Sequence, residues 1–298
     1  MNMEKTKRKV AIFFILPSLL VLLGLGLYPL LYIIYLSLHK LYLMAGPTPK
    51  FVGFSNYYKI LFQDPQFYLV LRNTIVWVLG STACQFLVAF PTALILNSKV
   101  IKLKGFFRGI ILIPWVMPII TVGIVWRWIY NADWGILNYY LFKLGVIKSY
   151  INWLGNQRTV WPALLIASTW KGFPYMTLMF LAGLQSIPPQ LYEAAKVDGA
   201  NNWNMFKYIT LPLMKQVILV VCLVASIQTW NNFRMIWVLT QGGPGYTTTV
   251  LSTYIYMKSF SFYRFGEGAT VAVISLIFVV VMIMTYLFVT KAYRLRWR

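Results

Sequence analysis

Acidic, cysteine and histidine residues are scarce in this chain. Its 298 residues include six Asp and Glu, two Cys and one His, against 27 Lys and Arg. Catalytic carboxylate pairs, nucleophile–base pairs and metal clusters all require such residues at defined spacings. Cys84 and Cys222 lie in apolar segments without a CxxC pattern, and His39 has no partner motif. We therefore predict that the chain is not an enzyme and contains no catalytic residues and no metal site.

The few acidic residues also exclude one class of transporter. A carrier driven by protons or sodium usually needs a carboxylate deep in the membrane to hold the driving ion. All of the acids lie outside the apolar segments or at their edges: Glu4, Asp64, Asp133, Glu193, Asp198 and Glu267. If the protein moves a solute uphill, we expect another subunit to supply the energy.

The composition is that of an integral membrane protein. Hydrophobic residues make up 59% of the chain and charged residues 11%, whereas about 25% of residues are charged in a soluble domain. The net charge of +21 is dispersed between apolar segments instead of being concentrated in one polar domain. This pattern indicates a lipid bilayer as the partner and not nucleic acid.

Six apolar segments have the length of membrane-spanning helices, which predicts an all-α membrane protein. They cover about 10–38, 69–96, 109–130, 160–184, 214–239 and 269–290. The first is too long for a signal-peptide core of roughly 7–15 residues, and we expect it to bend or break near Pro17 or Pro29. In the fourth, Gly172 and Pro174 weaken the middle, either as a cavity-lining break or as a simple packing kink.

The distribution of basic residues predicts the orientation. Lys and Arg are denser in the segments that face the cytoplasm if both termini are inside, as the positive-inside rule requires. Residues 1–9 and 291–298 then form cytoplasmic basic tails around a single domain at 10–290. A short amphipathic helix is expected at 135–145, lying along the membrane interface.

A polar segment at about 186–213 interrupts the apolar pattern on the cytoplasmic side. Ser186 is a candidate N-cap and Gly199 a candidate helix end. Between them, Glu193, Ala194 and Ala195 would lie on a short helix. A second short helix would carry Trp203, Phe206 and Ile209 at helical spacing. The pattern predicts a helical plug that another surface can approach closely.

These motifs resemble those of a known family. One stretch resembles the EAA loop of permease subunits of binding-protein-dependent ABC importers: Glu193-Ala194-Ala195, then Gly199, then Ile209-Thr210-Leu211-Pro212. The Asp198-Gly199-Ala200 variant is similar to the carbohydrate branch. Two further stretches, Gly53 to Tyr57 and Leu239 to Gly245, resemble elements of its maltose-type permeases. The resemblance implies a type I importer permease fold with six transmembrane helices.

The resemblance also implies partners and coupling residues. Glu193, Ala194, Ala195, Asp198 and Gly199 would contact an ATPase. Two ATPase subunits or domains would bind ATP and Mg²⁺, so this chain itself needs no cofactor. A second, homologous permease would complete a heterodimeric pore in a bacterial or archaeal cell membrane, and an extracytoplasmic binding protein would deliver the solute.

Amides within the fifth segment are candidates for the solute path. Gln228, Asn231 and Asn232 fall at i, i+3 and i+4, with Trp230 beside them. Amides bind sugar hydroxyls and aromatic faces bind sugar C–H surfaces, although hydrogen bonds between helices are an alternative use. By resemblance, Asn231-Asn232-Phe233 corresponds to a sugar site. We assign the weaker stripe of Thr74, Ser81 and Gln85 to packing.

We therefore predict a sugar importer permease, with an oligosaccharide as the solute. Arg234 follows the Asn-Asn-Phe motif, where the resemblance leads us to expect an acidic residue. This departure leaves an acidic sugar or a glycerol phosphodiester open as an alternative cargo. Arg127 and Lys171 near the spans could extend to the interface or point into a water-filled cavity. A secondary carrier or channel is a further alternative.

Overall fold

The computed structural model describes residues 2–98 and 100–295, with side chains over 12–98 and 100–288. Met1, Lys99 and residues 296–298 lie outside the described residues. Of these, Met1 and residues 296–298 belong to the predicted tails. The α-helices, in chain order, are α1 (Asn2–Val21), α2 (Tyr28–Ser37), α3 (Ser55–Tyr58), α4 (Phe67–Asn97), α5 (Lys104–Val116), α6 (Ile119–Ile129), α7 (Ile136–Lys143), α8 (Val160–Gln185), α9 (Pro189–Val197), α10 (Asn202–Met205), α11 (Leu211–Trp230), α12 (Phe233–Thr240), α13 (Leu251–Tyr256) and α14 (Phe265–Leu295).

Little other regular structure is present in the described chain. A two-stranded antiparallel sheet pairs β1 (His39–Lys40) with β2 (Lys50–Phe51). Shorter turns of π-helix occur at Leu22–Leu27, Lys59–Gln63, Phe206–Thr210 and Met257–Ser261, and a 3₁₀ turn at Leu43–Ala45. The chain forms two compact units: one contains the residues up to Phe67 with Tyr254–Ile277, and the other contains Tyr68–Thr253 with the chain from Phe278 onward.

The first apolar segment is not interrupted at either proline: a π-helical turn joins its two α-helices into one continuous stretch. Leu22–Leu27 lies between α1, which contains Pro17, and α2, which has Pro29 in its first turn. Pro29 has no N–H to donate to the carbonyl four residues earlier, so the regular ladder cannot pass through it. The amide of Tyr28 instead donates to the carbonyl of Leu23, five residues back.

Within the described residues, four unbroken helical stretches are long and apolar enough to cross a membrane. They are Ile12–Ser37, Phe67–Asn97, Asn202–Trp230 and Phe265–Phe288. The bent pair α5 and α6 would make a fifth span. Helix α8 has 26 residues, enough to span, but it is not among the stretches that are apolar enough by composition. Each predicted segment coincides with one or more helices, of which four, or five with the bent pair, have the length and composition of a span.

The third apolar segment is broken at Pro118. Helices α5 and α6 meet at an angle of 90°. Pro118 cannot donate to the carbonyl of Pro114, and its ring pushes the preceding residue out of the helical region. Met117 accordingly has φ −58° and ψ 138°. The single helix predicted over 109–130 is therefore wrong.

The fifth segment is also two helices, so the prediction of one helix over 214–239 is wrong. Helix α11 ends at Trp230, and α12 begins after Asn232. The side chain of Asn232 caps α12: its Oδ1 accepts a hydrogen bond from the amide of Met235 at 3.3 Å. An Asn side chain competes for backbone partners in this way and favours caps over helix interiors.

Helix α8 is continuous through Gly172 and Pro174, contrary to the predicted weak middle. Gly172 instead allows a close approach to α4, because a Cβ at this position would overlap the side-chain amide of Gln85. Apolar side chains of α4, α8 and α11, including Phe90, Phe180 and Met214, form the core of this unit. The glycine is therefore a packing position between two helices of that core.

The first unit contains a buried cluster of charges. The Nζ of Lys258 contacts Asp64 Oδ2 at 2.8 Å and Glu267 Oε2 at 3.0 Å. Lys59 binds the other Glu267 oxygen at 2.6 Å. The hydroxyl of Tyr254 donates to Asp64 Oδ2 at 2.5 Å. Burial raises the pKa of Asp64, but the hydrogen bonds from Lys258, Tyr254 and the Gln66 amide outweigh it and hold this pKa below its usual value of 3.8.

This cluster predicts a pH-dependent stability. Because the pKa of Asp64 is lowered on folding, its contribution is complete above pH ~4 and is lost as the pH falls through the lowered pKa. We expect Asp64→Asn to reduce the free energy of unfolding by about 3 kcal/mol at pH 7, since Lys258 loses one of its two carboxylates. Unfolding in detergent between pH 7 and pH 3 should show the two proteins converging at low pH. A difference that does not change with pH would contradict the assignment.

The Gly172 contact predicts a substitution that depends on its neighbour. We expect Gly172→Ala to destabilise the protein by about 1 kcal/mol, because the added methyl group displaces the flexible end of the Gln85 side chain from its hydrogen bonds to Ser168. Adding Gln85→Ala should relieve most of this cost, so that the two effects are not additive. Gly109→Ala is the matched control, since a Cβ there has nothing within 4 Å. Thermal unfolding of the four variants in detergent measures the coupling; additive effects would contradict it.

Candidate functional site

A cavity of about 160 Å³ lies inside the second unit. It is lined from α4, α5, α8, α11 and α12 and from the junction between the last two helices. Its lining residues are Gln85, Trp115, Ser168, Lys171, Gly172, Tyr175, Ala225, Gln228, Thr229, Asn232 and Met235. Both broken helices therefore end at this cavity, α5 at Trp115 and α11 at Gln228 and Thr229. Interrupted helices are tolerated at membrane depth where they line a cavity.

Several polar groups around the cavity have no partner within the described chain. The side-chain amide of Gln228 makes no hydrogen bond there, and the Nδ2 of Asn232 donates none, while its Oδ1 is used by the α12 cap. Gln85 donates through Nε2 to the carbonyl and hydroxyl of Ser168, at 3.4 and 3.3 Å. Its Oε1 accepts no hydrogen bond from a described residue. These amides are available to a polar, uncharged ligand.

Two aromatic rings form one wall of the cavity. Trp115 of α5 and Tyr175 of α8 stack with their centroids 5.9 Å apart and their planes 21° from parallel. Stacked rings present a broad, flat and apolar face. The cavity therefore combines unpaired amides with an aromatic surface.

The lining contains one basic side chain and no carboxylate. Lys171 directs its ammonium to three backbone carbonyls: those of Pro114 at 3.0 Å, Trp115 at 2.5 Å and Met117 at 2.8 Å. These carbonyls lie at the α5–α6 break. The cation is therefore occupied by the backbone in this conformation.

Of the residues predicted to line a solute path, the structure brings two to the cavity. Gln228 and Asn232 line it. Trp230 is buried and packs on Phe278, with ring centroids 5.9 Å apart. Asn231 is exposed and donates to the carbonyl of Ile227 at 3.1 Å, and Arg234 is exposed outside the lining. The single face assumed for these amides is wrong because the helix ends at Trp230.

Sequence reasoning missed the opposite side of the cavity. Gln85 was assigned to packing together with Thr74, which does pack: its hydroxyl donates to the Val70 carbonyl and accepts from the Leu251 amide. Trp115 and Tyr175 carry no signal in one sequence because they lie on different helices. The proline at 118 was a usable signal, since a proline inside a predicted span indicates freed carbonyls.

The polar segment at 186–213 contains the predicted short helix, α9, but the predicted second short helix is not separate: from Asn202 the chain continues as one helical stretch to Trp230. Ser186 is not the N-cap of α9; its hydroxyl donates to the carbonyl of Gly183 at the end of α8, and Pro188 occupies the cap position. Gly199 closes the helix with φ +80°. The amide of Ala200 donates to the Ala195 carbonyl and that of Gly199 to the Lys196 carbonyl, which is the Schellman arrangement.

Much of this segment is exposed, including apolar side chains. Glu193, Ala194, Asp198 and Gly199 are exposed, and Ala195 is half-buried. Nearby apolar side chains are also exposed: Leu191 by 43%, Val197 by 89% and Trp203 by 66%. The structure thus places the five predicted coupling residues on one short helix and its closing turn, beside a group of exposed apolar side chains.

The exposed segment is attached firmly to the core of its unit. The hydroxyl of Tyr192 on α9 lies 2.9 Å from the hydroxyl of Thr210. Tyr192, Phe206 and Ile209 pack against the apolar cluster of α4, α8 and α11. Asn201 caps α10 by accepting the amide of Asn204 at 2.8 Å. The segment therefore packs on helices that also line the cavity.

Known proteins share this sequence over most of its length. The family described as "Binding-protein-dependent transport system inner membrane component" matches residues 85–295. The trehalose/maltose transport system permease protein MalF of Thermococcus litoralis is 37% identical over 289 residues, which cover 96% of this chain and 95% of that protein. The lactose transport system permease protein LacF of Rhizobium radiobacter is 32% identical, with 90% of each chain covered.

Solved structures share the fold. One chain of a bacterial alginate ABC transporter, in complex with an alginate pentasaccharide-bound periplasmic protein, superposes with a TM-score of 0.81 at 23% identity. The match covers 95% of this chain and 94% of that one. A second alginate importer structure gives a TM-score of 0.77 at 25% identity, with 98% of each chain covered.

These matches agree with the architecture described above, in which apolar helices surround a polar cavity and an exposed helical segment packs on their core. They cover nearly the whole chain, both in sequence and in structure. The chain has the type I ABC importer permease fold and is a transport component, not an enzyme. It belongs to the family of binding-protein-dependent transport system inner membrane components.

Proposed function

We propose that this permease is one half of a heterodimeric pore that imports a sugar, an oligosaccharide in particular. The observation that carries the proposal is the cavity, where the unpaired amides of Gln228 and Asn232 lie in one lining with the Trp115–Tyr175 wall. Amides match sugar hydroxyls and aromatic faces match sugar C–H surfaces. The sugars in the names of the relatives support the same solute class.

The cavity volume fits a transport path in a partly closed conformation. Its volume of about 160 Å³ is well below the roughly 300 Å³ at which pockets for drug-sized ligands begin. A short stretch of an oligosaccharide is the most that it could hold. We infer that the helices around it move apart during transport, and that the second permease forms the remaining wall of the path.

Energy for this movement would come from partner ATPases. Two ATPase subunits or domains would bind ATP and Mg²⁺ and grip α9 through Glu193, Ala194, Ala195, Asp198 and Gly199. The exposed apolar side chains beside them support this role, because a large exposed apolar patch marks an interaction surface. A solute-binding protein would deliver the sugar from the other side. Both termini would be cytoplasmic in a bacterial or archaeal cell membrane.

The alternative of an acidic sugar or a phosphodiester loses its main support. That alternative depended on Arg234, which is exposed outside the cavity lining. Lys171, the basic residue of the lining, has its ammonium bound to three carbonyls. The cavity as described offers amides and aromatic rings to a neutral solute.

Gln228 and Asn231 provide a matched test of the solute path. We expect Gln228→Ala to raise the KM of ATP-driven sugar uptake about tenfold, because one hydrogen bond to the sugar is lost. Asn231→Ala, which removes the same chemical group from an exposed side chain nearby, should leave uptake within about twofold. Uptake by proteoliposomes containing the whole complex measures both. Equal effects of the two substitutions would contradict the proposed path.

Gly199 and Gly145 provide a matched test of the coupling surface. Both glycines follow a helix end with positive φ, +80° and +71°, and a Cβ at either has nothing within 4 Å. We expect Gly199→Asp to abolish ATP-driven uptake while the protein still inserts, because the new side chain projects into the space assigned to the ATPase. Gly145→Asp carries similar backbone strain but should retain uptake. Normal uptake by the Gly199 variant would count against the coupling role.

A further inference from the structure

Lys171 replaces the donors that the α5–α6 break removes. Pro118 cannot donate to the carbonyl of Pro114, and the turn at Met117 carries the chain away from the helix axis. The last carbonyls of α5 therefore lack intrahelical partners, and an unsatisfied carbonyl is costly in an apolar interior. The Nζ of Lys171 lies 3.0, 2.5 and 2.8 Å from the carbonyl oxygens of Pro114, Trp115 and Met117.

The match between donors and acceptors is complete. A lysine ammonium has three N–H donors and no acceptor, and three carbonyls accept from it here. A positive charge also interacts favourably with the C-terminal end of a helix. The ammonium therefore has no donor left for a ligand in this conformation, although Lys171 lies in the cavity lining.

The same contact fixes the aromatic wall of the cavity. Lys171 and Tyr175 are one turn apart on the same face of α8. Both contact Trp115: Lys171 binds its backbone carbonyl, and Tyr175 stacks on its ring at 5.9 Å. Trp115 is thus held at two points by one face of α8. If the Lys171 contact were lost, the stack of the Tyr175 and Trp115 rings would be the remaining one of these two contacts at the end of α5.

We propose that Lys171 is a positioning residue for transport. It clamps the broken span onto α8 and thereby sets the position of the Trp115–Tyr175 wall against which the solute lies, without itself binding the solute. The clamp follows from the contacts alone. Its effect on transport rests on the function proposed above, in which this cavity is part of the sugar path.

The test combines hydrogen exchange with uptake kinetics. In the whole complex, we expect Lys171→Met to increase amide exchange in residues 113–122, with or without sugar. The KM for sugar should rise about tenfold, with a smaller change in kcat, because the wall is misplaced while the coupling surface is intact. Lys171→Arg retains a cationic donor and should restore part of both properties. Lys148→Met is the matched control, since Lys148 is exposed on a connection outside the cavity.

Three results would overturn the proposal. Unchanged exchange in residues 113–122 would mean that Lys171 does not hold the break. Increased exchange with unchanged uptake kinetics would mean that the clamp has no role in positioning the wall for a solute. Unchanged exchange with a defect confined to anionic solutes would assign Lys171 to direct charge recognition. Failure of the proposed function gives a different result from failure of the clamp. In that case the unmodified complex takes up no sugar, while amide exchange in residues 113–122 of the Lys171→Met variant still tests the clamp.

Discussion

Backbone groups that lose their hydrogen-bond partners at helix breaks are the constraint on which this structure depends. A helix that crosses an apolar interior satisfies its own backbone, so every break must be compensated by other groups. At the α5–α6 break, the compensating group is the ammonium of Lys171, which reaches three carbonyls. At the α11–α12 break, the group without a partner is an amide, and Asn232 supplies the acceptor: its Oδ1 accepts from the amide of Met235 at 3.3 Å. The polar cavity lies where these two breaks meet the continuous helix α8.

The polar cavity and the exposed helical segment are formed by different residues of the same unit. The cavity presents amides and aromatic rings, which suit a neutral and polar solute. Helix α9 and its Gly199 turn are largely exposed, with apolar side chains among the exposed residues. Tyr192 and Thr210, together with Phe206 and Ile209, attach that surface to the core that also carries the cavity-lining helices. The exposed segment and the cavity-lining helices are therefore connected through packed side chains.

Sequence patterns predicted what depends on composition and local chain geometry. The apolar segments and the Gly199 helix end follow from such local properties. The cavity does not, because Gln85, Trp115 and Tyr175 lie on three helices whose approach is set by packing, as at Gly172. Asn231 and Asn232 show most clearly what a sequence pattern does not predict. Their spacing predicts a shared helical face, but their own side chains end the helix, so the structure places one in the cavity lining and the other at the surface.

The central claim is that this chain works as one subunit of an ATP-driven importer. The most direct measurement is a purification of the chain from its own membranes in a mild detergent, with the bound proteins identified by mass. The account predicts an ATPase with a nucleotide-binding motif and a second permease of the same fold, in a constant ratio to this chain. Recovery of the chain alone, or only with itself, in a detergent that preserves other membrane complexes would contradict the account.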